Sequence, residues 1–199
     1  MNIYYATKNK SKVQSLRRDL KEYDIRVIQI PLDLYEPRSY DVVEIANKKI
    51  ISAYDKIKKP TVVLDAGFYI YSIKGFPRAF VNFALETIGI EGILDLVKNK
   101  ERKCEFTECL SYLDSSLENP LFFVSKVKGE IAYEPKGKMK KHLWSELGLI
   151  FIPEGSQKTL AELTYNEYLK WRKITREKES AGKLLGDWLL GHRLADNRK

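Results

Sequence analysis

Cysteine, histidine and methionine are scarce in this chain, with two of each in 199 residues. Cys104 and Cys109 form neither a Cys-x-x-Cys pair nor a zinc knuckle, and no histidine stands near them. A disulfide scaffold and a cysteine–histidine metal site are therefore not expected. On a strand, their odd separation places the two thiols on opposite faces. His142 and His192 are expected on the surface rather than as ligands. No apolar run is long enough to span a bilayer. The start of the chain carries no signal-peptide pattern, so a cytoplasmic protein with no membrane association is the expectation. There is no glycine-rich loop ending in Gly-Lys-Ser/Thr, no internal repeat and no low-complexity linker.

What remains is an ordinary globular composition, 44% hydrophobic with a mean hydropathy of −0.38. The length suits a single domain, residues 1–199, with a substantial core. The net charge of +8 suits a polyanionic partner, nucleotide or nucleic acid, without choosing between them.

The most informative stretch is Thr61-Val62-Val63-Leu64-Asp65-Ala66-Gly67. Its apolar run reads as a strand buried on both faces, which rarely carries an acid in its interior. Asp65 is therefore expected at the C-terminal end, where open α/β sheets meet their ligands. Gly67 then lets the chain turn, or lets a ligand come close. Asp65 is the leading candidate for metal binding and proton abstraction, against the plain alternative of an acid that starts a turn.

A second signal lies at the N-terminus. Residues 2–6 read as a strand and Ser11 to Tyr23 as a helix, with Thr7-Lys8-Asn9-Lys10-Ser11-Lys12 between them. A polar loop entering a helix offers free N–H groups and a favourable dipole to an anion. Thr7, Asn9 and Lys12 can donate hydrogen bonds to phosphate oxygens. A solvated basic helix cap is the competing reading.

Further strands are predicted at 26–30, 68–73, 104–113, 121–131 and 148–152. Helices are predicted at 40–58, at 79–98 with an interruption near Gly89 or Gly92, and over much of the chain beyond Leu160. A bulge or tight bend is predicted at Gly129. The pattern predicts an α/β fold with a mixed central sheet flanked by helices and a β-rich second lobe.

These stretches together resemble the inosine triphosphate pyrophosphatase family, hydrolases of deaminated, non-standard purine nucleoside triphosphates. Thr7, Asn9 and Lys12 match its Thr-x-Asn-x-x-Lys opening, and Asp65-Ala66-Gly67 matches its Asp-Ser-Gly in part. Gly75-Phe76-Pro77-Arg78 stands at its Gly-x-Pro-Gly turn. Phe151-Ile152-Pro153-Glu154-Gly155 and Thr159-Leu160-Ala161-Glu162 match two later elements in order and spacing. The resemblance implies two lobes with a cleft between them, a homodimer, and magnesium-dependent cleavage of a nucleoside triphosphate to monophosphate and pyrophosphate. It implies a metal site of Asp65 and Glu36, with Asp33 a nearby substitute, and a phosphate site of Thr7, Asn9 and Lys12. It further points to Ala66, Gly67, Trp144, Lys170 and Arg176 as substrate-binding positions.

Several departures are evident. Leu64 replaces the acid before the aspartate, Ala66 the serine, and Arg78 the glycine of the Pro-Gly turn. The family's Phe-Gly-Tyr-Asp-Pro element aligns with Ser145-Glu146-Leu147-Gly148-Leu149, and Thr175 stands where a histidine is expected. The phosphate end is thus better kept than the base end, and weak discrimination between bases is expected. Three readings stay open: an active pyrophosphatase of altered specificity, a degenerate homologue that binds nucleotide or RNA without cleaving it, and a partner-binding protein on the same fold. The C-terminal helical extension from about 164 to 199 is rich in Lys and Arg, among them Lys170, Arg172, Lys173 and Arg176, with Trp171 and Trp188 interspersed. Such a helix contacts RNA or a partner, or packs its apolar face on the domain.

Overall fold

The computed structural model of the chain describes residues 1–143, 145–176 and 180–196, without the side chains of Arg176 and of residues 193–196. Its centre is one seven-stranded mixed sheet. The strands are β1 (Asn2–Ala6), β2 (Arg26–Ile30), β3 (Thr61–Ile70), β4 (Pro77–Arg78), β5 (Lys103–Leu113), β6 (Leu121–Ile131) and β7 (Phe151–Pro153). They lie in the order β2-β1-β3-β5-β6-β7, with β4 paired to β3. β2, β1 and β3 are parallel, and β3, β5, β6 and β7 run antiparallel to one another in turn. The helices are α1 (Lys10–Asp19), α2 (Val42–Ile57), α3 (Val81–Thr87), α4 (Gly89–Leu96), α5 (Tyr165–Arg176) and α6 (Ala181–Asp196).

The parallel half follows from two βαβ steps. Leaving β1, the chain crosses through α1 to β2, then through α2 to β3. Along β3 the alternation sorts the two faces. Val62 and Leu64 pack with Val13 and Leu16 of α1 and Leu185 of α6. Val63 packs with Ile50 and Ala53 of α2. α6 is thus a core element, its apolar stripe of Ala181, Leu185 and Leu189 buried against the sheet. No helix among the described residues is long and apolar enough to cross a membrane.

Two expectations from the sequence are corrected here. Asp65 does not end a strand: β3 runs on through it, and Phe68–Ile70 belong to the same strand rather than a separate one. The reason is a change of partner. β1 pairs with β3 only at Thr61 and Val62, whereas β5 pairs with it from Thr61 to Ile70. Asp65 therefore sits past the end of the parallel ladder but inside the antiparallel one. Gly67 does not turn the chain; a Cβ there would lie 2.8 Å from the Arg78 carbonyl oxygen of β4, so it serves a close backbone approach. Gly129 is likewise no bulge. It pairs in register with Cys104 and Pro153, and a Cβ would clash with the Ile152 carbonyl oxygen.

The helical interruption falls between α3 and α4, at Gly89 with φ +65°. Cys104 and Cys109 are free and buried, in separate clusters on the two faces of β5. The Thr159–Glu162 element is a reciprocal turn: Thr159 N–H donates to Glu162 Oε2 at 2.8 Å, and Glu162 N–H to Thr159 Oγ1 at 3.3 Å. Thr164 and Glu167 repeat the device at the start of α5, a capping box. Both pairs shape the backbone at their turns.

Candidate active site

α1 begins with a tight cap. Asn9 Oδ1 accepts from the N–H groups of Ser11 at 2.9 Å and Lys12 at 3.1 Å, and Thr7 Oγ1 accepts from Asn9 N–H at 3.1 Å. The cap uses the Asn9 carbonyl oxygen and leaves its amide N–H groups as donors toward an anion. One turn in, Lys12 Nζ donates to the Leu64 carbonyl oxygen at 3.1 Å. Burial lowers the Lys12 pKa and Lys49 lowers it further, against Asp65 and Glu108, which raise it.

Asp65 lies on the α2 face of β3. Lys49 of α2 donates to Asp65 Oδ1 and to Glu36 Oε1, both at 2.8 Å. Burial opposes the Lys49 charge, but the two carboxylates outweigh it and raise its pKa. Lys49 was not legible as a site residue. A trace of it lies in the α2 pattern, where Val42, Ala46 and Ala53 are buried and Lys49 fills the slot between them. A cation in an apolar stripe calls for an acid beneath it.

The other Asp65 oxygen, Oδ2, is buried without a hydrogen-bond partner. A buried carboxylate oxygen left so is a mark of a missing cation or water. Among the described residues no group of three or more His, Cys, Asp or Glu side chains could hold a metal. A two-acid site still fits magnesium, which keeps most of its waters and takes substrate oxygens. Asp33 is exposed and ion-paired with Lys8.

Asn9, Lys12, Glu36, Asp65, Ala66 and Gly67 line one recess of about 150 Å³, which Asn82, Phe106 and Ser145 complete. The candidate phosphate and metal residues are thus drawn together, except Thr7, which bonds Asn9 N–H and does not line the recess. Arg78 does not crowd the recess. Its backbone adopts φ +55°, the region that favours a glycine, and its guanidinium turns onto the Lys74 carbonyl oxygen and the Tyr40 ring.

The base end differs from the expectation. Trp144 lies outside the described residues, as does the side chain of Arg176. Lys170 is exposed on the solvent face of α5. Two residues to either side, the buried Tyr168 and Arg172 face inward, as helical periodicity requires. Arg172 Nη2 donates to Asp19 Oδ1 and Ser15 Oγ, both at 2.7 Å, so it is not available to RNA. His142 is half-buried rather than superficial, its ring 4.5 Å from that of Tyr168. His192 is exposed and stacks on Trp188.

The mixed α/β sheet thus sets a capped cationic helix start beside a lysine-bridged carboxylate pair. The chain belongs to the Ham1 family, whose model matches residues 3–175. It is 34% identical over 173 residues to the dITP/XTP pyrophosphatase of Methanopyrus kandleri, covering 85% of this chain and 88% of that one. It is 31% identical to the Pyrobaculum aerophilum protein of the same description, over 98% of this chain and 99% of the other. The Staphylococcus aureus Ham1 protein structure superposes with a TM-score of 0.78 at 24% identity, covering 96% of this chain and 100% of that one. The family resemblance in the sequence is therefore borne out.

Proposed function

We propose that this chain is a nucleoside triphosphate pyrophosphatase acting on deaminated purine nucleotides, of the dITP and XTP kind that its relatives' descriptions name. The observation that carries this reading is that Asp65 and Glu36, bridged by Lys49, line one recess with Asn9 and Lys12. Lys12 and the Asn9 amide bind the polyphosphate and set its register. Lys49 balances the acids until substrate arrives, and then offers its charge to the phosphate oxygens. Asp65 takes a proton from the attacking water. Asp65 and Glu36 would hold a divalent ion, which supplies charge neutralisation and polarises the phosphoryl oxygens. Water attacks the α-phosphorus, the α–β bridging bond breaks, and monophosphate and pyrophosphate leave.

This reading treats residues 1–199 as one pyrophosphatase-like domain of two lobes around a cleft, with α5 and α6 as its C-terminal extension. It includes a homodimer. Tyr71, Phe76, Phe80, Phe83 and Ile88 are all exposed in one short stretch, apolar surface of the kind an interface covers. The test is pyrophosphate release from dITP, XTP and ATP with magnesium, for the wild type and Asp65→Asn. Release from the deaminated nucleotides that Asp65→Asn abolishes is the expected result. Nucleotide binding without turnover would leave the binding-only reading.

A further inference from the structure

The sheet carries a second acid beside the site, on the face away from α2. Glu108 of β5 stands opposite Ala66 of β3 and is only 9% exposed. Ser125 Oγ donates to its Oε2 at 3.5 Å. Two recesses are lined by it, and each shares wall residues with the Asp65 recess. The Asp65 recess shares Lys12 with one beneath α1 and α5, and shares Phe106 and Ser145 with another toward β7. Glu108 and Tyr168 line both of the latter. Lys12 thus stands in the wall between the candidate phosphate end and a carboxylate that shares its recesses with Phe106 and Tyr168.

The recess beneath α1 and α5 also holds donors. Arg18 and His142 line it, and Arg18 Nε and His142 Nε2 are buried with no hydrogen-bond partner. Buried polar atoms are nearly always paired. A deep carboxylate with two unpaired nitrogens in the same recess is complementary to a ligand edge that sets an N–H donor beside a carbonyl acceptor. That is the lactam edge of a 6-oxopurine.

We propose that Glu108 determines base specificity: it accepts the N1–H of a 6-oxopurine whose O6 is turned toward Arg18 and His142. This rests on the nucleotide reading above. Adenine in the same orientation sets a ring lone pair against the carboxylate and an amino group against the donors. In this proposal an acid on β5 takes the part of the lost aromatic–aspartate element, and discrimination is stronger than the sequence alone leads one to expect.

The experiment compares ITP with ATP, which share the sugar and phosphates and differ only at that edge. Turnover is measured with magnesium on the wild type, Glu108→Gln and Glu108→Thr, with thermal melts confirming folding. Binding is measured in the same Glu108 variants on an Asp65→Asn background. The wild type is expected to prefer ITP, and each Glu108 variant to lose at least about tenfold of the ITP-to-ATP ratio, the worth of one good base contact. An unchanged ratio, an equal loss for both nucleotides, or a wild type without preference would overturn the proposal. A preference in binding that Glu108→Gln removes, with no pyrophosphate released by the wild type, would sustain the proposal while the enzymatic reading fell.

Discussion

Lys49 Nζ lies 2.8 Å from Asp65 Oδ1, with the two side chains only 11% and 12% exposed. The same ammonium reaches Glu36, which is 72% exposed and contributes little to the pair's stability. Lys49 thus holds the position between two acids that a divalent ion would also seek. Removing one partner of a buried pair costs about 3 kcal/mol or more. Lys49→Met is expected to melt well below the wild type without magnesium, and to recover part of that loss when magnesium is added. A variant whose melting ignores magnesium would show that Asp65 and Glu36 do not form a cation site.

Lys12 should separate triphosphates from monophosphates. A charged donor to a phosphate oxygen is worth about 1.5–3 kcal/mol, so Lys12→Ala is expected to lower triphosphate affinity roughly tenfold or more and to spare monophosphate. Paired titrations with an RNA oligomer provide the control. Lys170 and Lys173 are exposed on α5, and RNA affinity that depends on them but not on Lys12, without nucleotide binding, would sink the enzyme reading.

Acid should expose His142. Burial, then Lys140 and Arg18, lower its pKa from 6.5. The folded state therefore binds this proton more weakly than the unfolded chain does. Its share of stability is complete above 6.5 and is lost as pH falls through the lower folded value. Thermal melts across this range are expected to fall more steeply for the wild type than for His142→Gln. Parallel curves would assign the acid sensitivity elsewhere.

Arg172 pins α5 to α1 through Asp19, the two side chains being 9% and 14% exposed. Burial opposes the Arg172 charge, but Asp19 outweighs it and raises the pKa. Arg172→Leu strands Asp19 and is expected to cost about 3 kcal/mol or more. Amide exchange should rise in α5 first while the β3–β5 ladder stays protected. A uniform rise across both would mean that α5 does not open separately.

The parallel half of the fold was legible because its signals are local. β1, β2 and α2 follow from apolar runs and periodicity within one segment. That Asn9, Lys12, Glu36 and Asp65 belong to one recess was legible too, because each is an unusual residue type at a telling place. What escaped depended on partners distant in sequence. Asp65 was taken for a strand end because β5, some forty residues on, is what lets the strand continue. Lys49 escaped because its acids lie on a loop and another strand. At α5 the helix itself was evident, but its inward face follows from how it docks on α1, so Tyr168 and Arg172, rather than Lys170, meet the recess.

The change of partner along β3 also limits how this site can vary in evolution. Asp65 is locked in register with Cys109, and successive residues face opposite sides. Inserting or deleting one residue before it would turn the acid away from Lys49 toward the α1 side, and bring an apolar neighbour into its place. No loop adjacent to Asp65 can absorb such a change. This position can therefore vary by substitution but not by length, while Glu36, on a connection without helix or strand, is free to vary by both. Divergence at this recess among descendants of this chain should accumulate in the Glu36 loop, with Asp65 as its fixed point.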